Sequence, residues 1–120
     1  MQRTMMKSKI HRATVTATQL AYEGSITIDP VLLEAADILP GEQVHVLNVN
    51  SGARIVTYAI SGARDSGEIM LNGPAARGAE PGDPVVVITY ASFDDTEART
   101  HVARVVLVTP ENAIARIKGV

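Results

Sequence analysis

The chain has 120 residues, of which 46% are hydrophobic and only 3% aromatic, and it carries a formal net charge of −2. This length fits one domain, residues 1–120, with a core of mainly aliphatic side chains. The negative charge and the absence of tryptophan argue against a nucleic-acid binder, which needs a positive face and benefits from aromatic stacking. Cysteine is also absent, which excludes disulfides, thiolate metal sites and cysteine nucleophiles.

The sequence shows no targeting signal and no membrane span. The amino terminus lacks an apolar stretch, and the longest purely aliphatic run, Val85 to Ile88, is far too short to cross a bilayer. We therefore expect a cytoplasmic protein that binds no membrane.

Apolar and polar residues alternate along much of the chain, as is typical of β-strands. In the first predicted strand the alternation places Ile10, Arg12, Thr14 and Thr16 on one face, and His11, Ala13 and Val15 on the other. Further strands are predicted, in chain order, at 43–49, 54–60, 68–71, 85–90 and 101–108. The segment 50–52, Asn-Ser-Gly, predicts a hairpin between the first two of these. Short strands with glycine-containing connections favour a closed barrel or a sandwich.

One helix is predicted within this mainly β framework. Asp29 is a suitable N-cap, Pro30 suits the first helical position, and residues 31–37 supply an apolar stripe. The pair at 40–41, Pro-Gly, is predicted to end the helix. Weaker helical turns are predicted at 74–78 and 94–99.

The Gly24-Ser25 bond has the most distinctive chemistry in the sequence. A serine hydroxyl can attack the preceding carbonyl carbon and turn the amide into an ester, and glycine on the acyl side permits the backbone angles that this requires. Elimination and hydrolysis then leave a ketone at a new amino terminus, an electron sink comparable to pyridoxal phosphate. Gly-Ser is also common in ordinary turns, so the dipeptide alone carries little weight.

Four segments surround this chemistry in order: Lys7 to Thr16, Tyr22 to Asp29, Arg54 to Ile60, and Asn72 to Ala76. Together they resemble the pyruvoyl-dependent aspartate 1-decarboxylases. The resemblance implies a double-psi β-barrel that forms a homotetramer and cleaves itself into residues 1–24, the β chain, and 25–120, the α chain. It also implies a carboxy-lyase that converts L-aspartate to β-alanine and CO2 through a Schiff base, for pantothenate and coenzyme A synthesis.

The same resemblance assigns roles to individual residues. The pyruvoyl cofactor derives from Ser25, with no pyridoxal phosphate and no metal, and Tyr58 donates a proton after CO2 is lost. Processing involves Gly24, Ser25 and Thr57. The substrate-binding residues are Lys9, Arg54, Thr57, Asn72, Gly73, Pro74 and Ala75. The family usually has alanine where this chain has Pro74, and proline removes one backbone N–H from that loop.

Several alternatives stay open from the sequence. Lys9 and Arg54 fit ordinary surface charges, and Tyr58 fits a rim residue with its ring in the core. The roles of His11 and Tyr22 are undecided, as is the need for a maturation helper protein.

The two remaining histidines, His45 and His101, have no partner at metal-ligand spacing and are predicted to be structural or exposed. The alternative function is a non-catalytic double-psi or swapped-hairpin β-barrel, such as a dimeric transcription-regulator module, because fold alone does not separate the two.

Overall fold

The computed structural model describes all 120 residues, as nine β-strands, two short α-helices and one 3₁₀ helix. The strands are β1 (Gln2–Thr14), β2 (Ala17–Gln19), β3 (Ser25–Ile28), β4 (Gln43–Asn48), β5 (Arg54–Ser61), β6 (Ile69–Asn72), β7 (Pro84–Asp94), β8 (Arg104–Val108) and β9 (Ile114–Gly119). The helices are α1 (Pro30–Ala35), the 3₁₀ helix (Gly73–Gly78) and α2 (Asp95–Thr100). The predicted mainly β fold with short helices is confirmed. None of the helices is long and apolar enough to cross a membrane.

Two strands, β1 and β3, each lie in the sheet between two strands that follow one another later in the sequence. The strand order is β2-β6-β3-β5-β4-β7-β1-β8-β9, so β3 lies between β5 and β6, and β1 lies between β7 and β8. Each enclosed strand is parallel to one neighbour and antiparallel to the other. Each arrangement is a psi motif, and the two together give the double-psi topology.

The connection between β1 and β2 closes the sheet into a barrel. Only Val15 and Thr16 separate these strands, although they occupy the seventh and first positions in the strand order. The three Cα steps across this connection span at most about 11 Å, whereas six strand spacings in a flat sheet cover about 29 Å. The sheet must therefore curl. The N–H of Val15 donates to Asp83 O at 2.9 Å, and the N–H of Thr16 donates to Ile69 O at 2.8 Å, which fixes the joint.

The barrel interior is an aliphatic core that α1 covers at one end. The largest fully buried side chains include Ile10, Ile26, Leu32 and Leu71, and each stabilises the fold by about 1.5–3 kcal/mol. The predicted N-cap is confirmed, since the Asp29 carboxylate accepts from the N–H of Val31 at 2.9 Å.

The predicted end of α1 at residues 40–41 is wrong. The helix stops at Ala35, because Asp37 adopts a φ of 55°, outside the right-handed helical region. The Pro-Gly pair lies beyond this break.

The predicted alternation along β1 is also wrong, between Ile10 and Ala13. Arg12 has a φ of 63°, and the register of β1 on β7 shifts at this point. Such a β-bulge inserts one extra residue into a strand. Ile10 and Ala13 are therefore both buried while Arg12 is exposed. A polarity pattern does not reveal a bulge whose extra residue is itself polar.

Asn112 is buried and fastens two loops to the end of β1. Its Oδ1 accepts from Thr14 N at 2.7 Å, and its Nδ2 donates to Thr14 O at 2.8 Å and to Gly67 O at 2.7 Å. Its φ of 63° is a conformation that asparagine tolerates better than most residues. The Asn112 side chain thus supplies hydrogen bonds that a neighbouring backbone strand does not supply at this end of β1.

We expect Asn112→Ala to lower the free energy of unfolding by about 2–4 kcal/mol, because three half-buried backbone groups lose their partner. Urea denaturation measures this loss. The matched control is Asn50→Ala, whose side chain donates only one exposed hydrogen bond, to Asp83, and which should cost less than about 1 kcal/mol. Equal losses for the two variants would contradict the assigned role of Asn112.

Candidate active site

Ser25 begins β3, and its side chain is fully buried. Its hydroxyl donates to the carbonyl oxygen of Glu23 at 3.2 Å and accepts from Asn72 Nδ2 at 2.9 Å. The antiparallel register of β3 and β6 sets Ser25 directly opposite Asn72. The serine oxygen is therefore held in one orientation, away from water, at the residue that follows Gly24.

Asn72 is the centre of this buried polar cluster. Its Nδ2 also donates to Thr27 Oγ1 at 2.9 Å, while its Oδ1 is buried without a hydrogen-bond partner. Buried polar atoms are nearly always paired, so an unpaired acceptor beside the Gly24-Ser25 bond is unusual. Thr27 was not among the predicted site residues. The signal that identifies it is its position two residues after Ser25, on the same face of a strand.

A cavity of about 290 Å³ adjoins Gly24 and brings together predicted residues from three separate segments. It is lined by Gly24, Ile55, Val56, Thr57, Pro74 and Ala75. Its volume is near the lower end of the range for small-molecule sites, about 300–1,000 Å³. A molecule the size of an amino acid fits this space.

Pro74 and Ala75 of this cavity wall belong to the first turn of the 3₁₀ helix, for which Asn72 is the N-cap. Gly73 and Ala75 are buried, whereas Pro74 is exposed. Proline is well tolerated in the first turn of a helix, because the N–H that it lacks would have no partner within the helix. The presence of Pro74 is thus compatible with this local structure.

Tyr58 lies beside Ser25 on the neighbouring strand. In the parallel register of β3 and β5, Ile26 pairs with Ala59, and both are core residues. Because side chains alternate along a strand, the preceding residues, Ser25 and Tyr58, share the opposite face. Tyr58 is 38% exposed, so its phenol stands at the surface next to the buried serine.

Arg54 lies on the same face of β5 as Tyr58, four residues earlier. Its Nη1 is 2.9 Å from His45 Nδ1, and because a guanidinium only donates, His45 accepts through Nδ1 and carries its proton on Nε2. The His45 ring packs edge-on against Tyr90, with 5.0 Å between ring centroids. The sequence alone indicated no partner for His45. In the structure, His45 accepts a hydrogen bond from the Arg54 guanidinium. It also lines a second cavity, of about 440 Å³.

Lys9 and His11 lie on β1, which β7 and β4 separate from β5. No side-chain hydrogen bond links Lys9 to Ser25, Asn72 or Thr27 within one chain. His11 Nδ1 is buried without a partner, and burial, followed by the nearby charges of Lys9, Arg12 and Lys118, lowers the pKa of His11.

The third histidine has a structural role. His101 Nε2 donates to the carbonyl oxygen of Met6 at 2.8 Å, and its ring packs on Phe93 with 4.3 Å between centroids. No group of three or more His, Asp or Glu side chains is arranged to hold a metal ion.

Two designed double-psi β-barrel proteins resemble part of the structure. One is 15% identical, with a TM-score of 0.49, and the match covers 64% of this chain and 90% of the designed protein. The other is 16% identical, with a TM-score of 0.47, and the match covers 71% of this chain and 96% of the designed protein.

Sequence similarity to known proteins extends over nearly the whole chain. The aspartate decarboxylase family matches residues 1–115. The aspartate 1-decarboxylase of Pelotomaculum thermopropionicum is 58% identical over 115 residues, which cover 96% of this chain and 87% of that relative. The aspartate 1-decarboxylase of Moorella thermoacetica is 56% identical over 118 residues, which cover 98% and 92%. The chain therefore belongs to the aspartate decarboxylase family.

Proposed function

We propose that this protein is a self-processing decarboxylase that converts L-aspartate to β-alanine and CO2, the β-alanine serving pantothenate and coenzyme A synthesis. The observation that carries the proposal is the fully buried Ser25 hydroxyl, held by Glu23 and Asn72 directly after Gly24. Relatives named aspartate 1-decarboxylase, 56–58% identical over nearly the full length, support the substrate and do not favour a non-catalytic barrel.

Processing begins with attack of Ser25 Oγ on the carbonyl carbon of Gly24. A C–O bond forms, the C–N bond breaks, and the hydroxyl proton passes to the Ser25 nitrogen, so the peptide bond becomes an ester. Loss of the α-hydrogen of residue 25, with departure of the Gly24 carboxylate, leaves dehydroalanine. Addition of water and release of ammonia then leave a pyruvoyl ketone, on a chain of residues 25–120 separated from residues 1–24.

Two polar side chains are placed to assist the first step. Asn72 Nδ2 holds the Ser25 oxygen at 2.9 Å, so the attacking atom is oriented before the reaction begins. Thr57 lines the same cavity as Gly24, and we assign its hydroxyl as a donor to the developing oxyanion on Gly24. A fixed donor at that position stabilises a tetrahedral intermediate.

The surroundings of Ser25 fit a pyruvoyl group. The ketone oxygen would replace the Ser25 nitrogen, while Oγ leaves with the Gly24 carboxylate. A ketone oxygen only accepts hydrogen bonds, and Asn72 Nδ2, which lies 2.9 Å from Oγ, is a donor beside that position. A pyruvoyl group at this position would supply an electron sink for the loss of CO2 from the substrate. Asn72 would hold the group, and the cavity beside Gly24 would admit the substrate.

Three charged or polar side chains are assigned to the substrate itself. The Arg54 fork binds one carboxylate, and the Tyr58 hydroxyl, on the same face as Ser25, protonates the substrate carbon after CO2 is lost.

The backbone N–H groups of Gly73 and Ala75 face the substrate as further donors, without one from Pro74. Because no side-chain hydrogen bond links Lys9 to the Ser25 cluster within one chain, we propose a homotetramer in which a neighbouring copy presents its Lys9. A cytoplasmic location remains a prediction.

The experiment is a product assay on purified, fully cleaved protein. We expect L-aspartate to yield β-alanine and CO2 in equal amounts without added pyridoxal phosphate or metal. L-glutamate, one methylene longer, is the control substrate and should react much more slowly. Cleaved protein that releases no β-alanine from aspartate would contradict the assigned substrate.

Arg54→Lys separates charge from geometry at the substrate carboxylate. Lysine keeps the positive charge but loses the two parallel hydrogen bonds of the guanidinium. We expect kcat/KM to fall about ten- to a hundredfold, the loss of roughly 1.5–3 kcal/mol for one charge-assisted bond. The control is Arg64→Lys, because Arg64 forms only an exposed ion pair with Glu34. Steady-state kinetics within twofold of wild type for Arg54→Lys would make Arg54 an ordinary surface charge.

A further inference from the structure

Gly73 packs directly against the backbone of the segment that ends at the proposed cleavage site. A Cβ added at Gly73 would lie 2.7 Å from Tyr22 O, 2.8 Å from Gly24 N and 2.9 Å from Gly24 Cα. Real Cβ atoms are essentially never closer than 3.0 Å to another heavy atom of this kind. All three contacts are backbone atoms, so no side-chain rotation relieves the crowding. Only glycine permits this approach.

The residues on either side of Gly73 also lie close to the Gly24-Ser25 pair. Asn72 Nδ2 holds Ser25 Oγ at 2.9 Å. Pro74 Cδ lies 3.4 Å from the position of a Cβ on Gly24. Residues 72–74 therefore lie against both residues of the bond, with the asparagine hydrogen-bonded to the serine and the next two residues close to the glycine.

We propose that Gly73 is a positioning residue for self-cleavage, whose bare backbone holds the Gly24 carbonyl carbon in front of the Ser25 hydroxyl. This role rests on the proposed function. A reaction between two groups of the same chain depends on their placement, and a displacement of about 1 Å can cost about a hundredfold in rate. Any side chain at position 73 pushes residues 22–24 away while leaving every reacting atom in the protein.

The chain offers a control with matched backbone strain. Gly73 has a φ of 60°, and Gly52 has a φ of 76°, both in the left-handed region that disfavours alanine. An added Cβ at Gly52 meets nothing within 4 Å. Gly52→Ala therefore carries the conformational penalty without the crowding against the cleavage segment.

The experiment follows cleavage of freshly prepared precursor on denaturing gels, for wild type, Gly73→Ala and Gly52→Ala, with the thermal midpoint of each. We expect Gly73→Ala to cleave about ten- to a hundredfold more slowly and Gly52→Ala to cleave within twofold of wild type, although both midpoints fall. Wild-type rates in Gly73→Ala, or equal slowing in both variants, would overturn the positioning role. Failure of the wild type to cleave would instead overturn the proposed function.

If Gly73→Ala does not fold, a crystal structure of Ser25→Ala decides. This variant cannot cleave and keeps the whole segment intact. We expect Gly73 with a positive φ and its backbone against Tyr22 O and Gly24 N, as described above. Residues 22–24 lying more than 4 Å from the Cβ position of Gly73 would overturn the proposal.

Discussion

Ser25→Ala is expected to abolish both cleavage and decarboxylation while the barrel still folds. The substitution removes the oxygen that we propose as the nucleophile, and with it the proposed source of the pyruvoyl group. Asn72 Nδ2 keeps Thr27 Oγ1 as a partner at 2.9 Å, so the loss of stability should be only about 1 kcal/mol. A denaturing gel and a β-alanine assay measure the two activities, and a thermal melt confirms folding.

The matched control is Ser8→Ala. Ser8 is also fully buried, and its hydroxyl bonds to that of Thr89 at 2.6 Å, on the other psi motif. This variant should cleave at the wild-type rate, since it tests only the removal of a buried serine hydroxyl. Two fragments from Ser25→Ala would show that another residue is the nucleophile.

Tyr58→Phe is expected to leave processing unchanged and to lower kcat by about a hundredfold or more, the usual size of a general-acid contribution. The substitution keeps the ring beside Ser25 and deletes only the hydroxyl that we assign as the proton donor. The proposed cleavage steps do not use this hydroxyl, so the variant should form both fragments. Single-turnover and steady-state measurements on the cleaved protein test the effect.

Tyr90→Phe is the control, because Tyr90 is 39% exposed against 38% for Tyr58 and lies on another strand, against His45. Removing that hydroxyl should change kcat by less than about twofold. A Tyr58→Phe enzyme with wild-type kcat would take the proton-donor role away from Tyr58.

The parts of the fold that the sequence predicts are those with strong local signals. The predicted strand at 43–49 and the turn at 50–52 match β4 and its connection to β5 closely. The Asp29 cap is likewise a local interaction between a side chain and an N–H two residues later.

Other elements escape local patterns. All four residues of β3 are buried, so the strand that begins with Ser25 has no alternation to reveal it. Strands β2 and β9 were not predicted either, since β2 has three residues and β9 is exposed throughout. The predicted strand at 101–108 starts only at Arg104, because α2 runs to Thr100.

The candidate site, like the fold, has features that the sequence predicts and features that only the structure shows. Resemblance supplies the residue types, but only the strand register places Tyr58 beside Ser25 and puts Lys9 on a strand that pairs with neither β3 nor β5. The contacts of Thr27 with Asn72, and of His45 with Arg54, join residues far apart in the chain. Contacts of this kind depend on the packing of the whole barrel, and no short motif contains them.

The mass of the purified, denatured protein tests the central claim most directly. Cleavage at Gly24-Ser25 predicts one chain of 24 residues and one of 96 residues from the 120-residue precursor. The larger chain should be lighter than the unmodified 25–120 peptide by about 17 Da, the ammonia lost when serine becomes a pyruvoyl group. A single uncleaved chain that nevertheless converts aspartate to β-alanine would contradict the account.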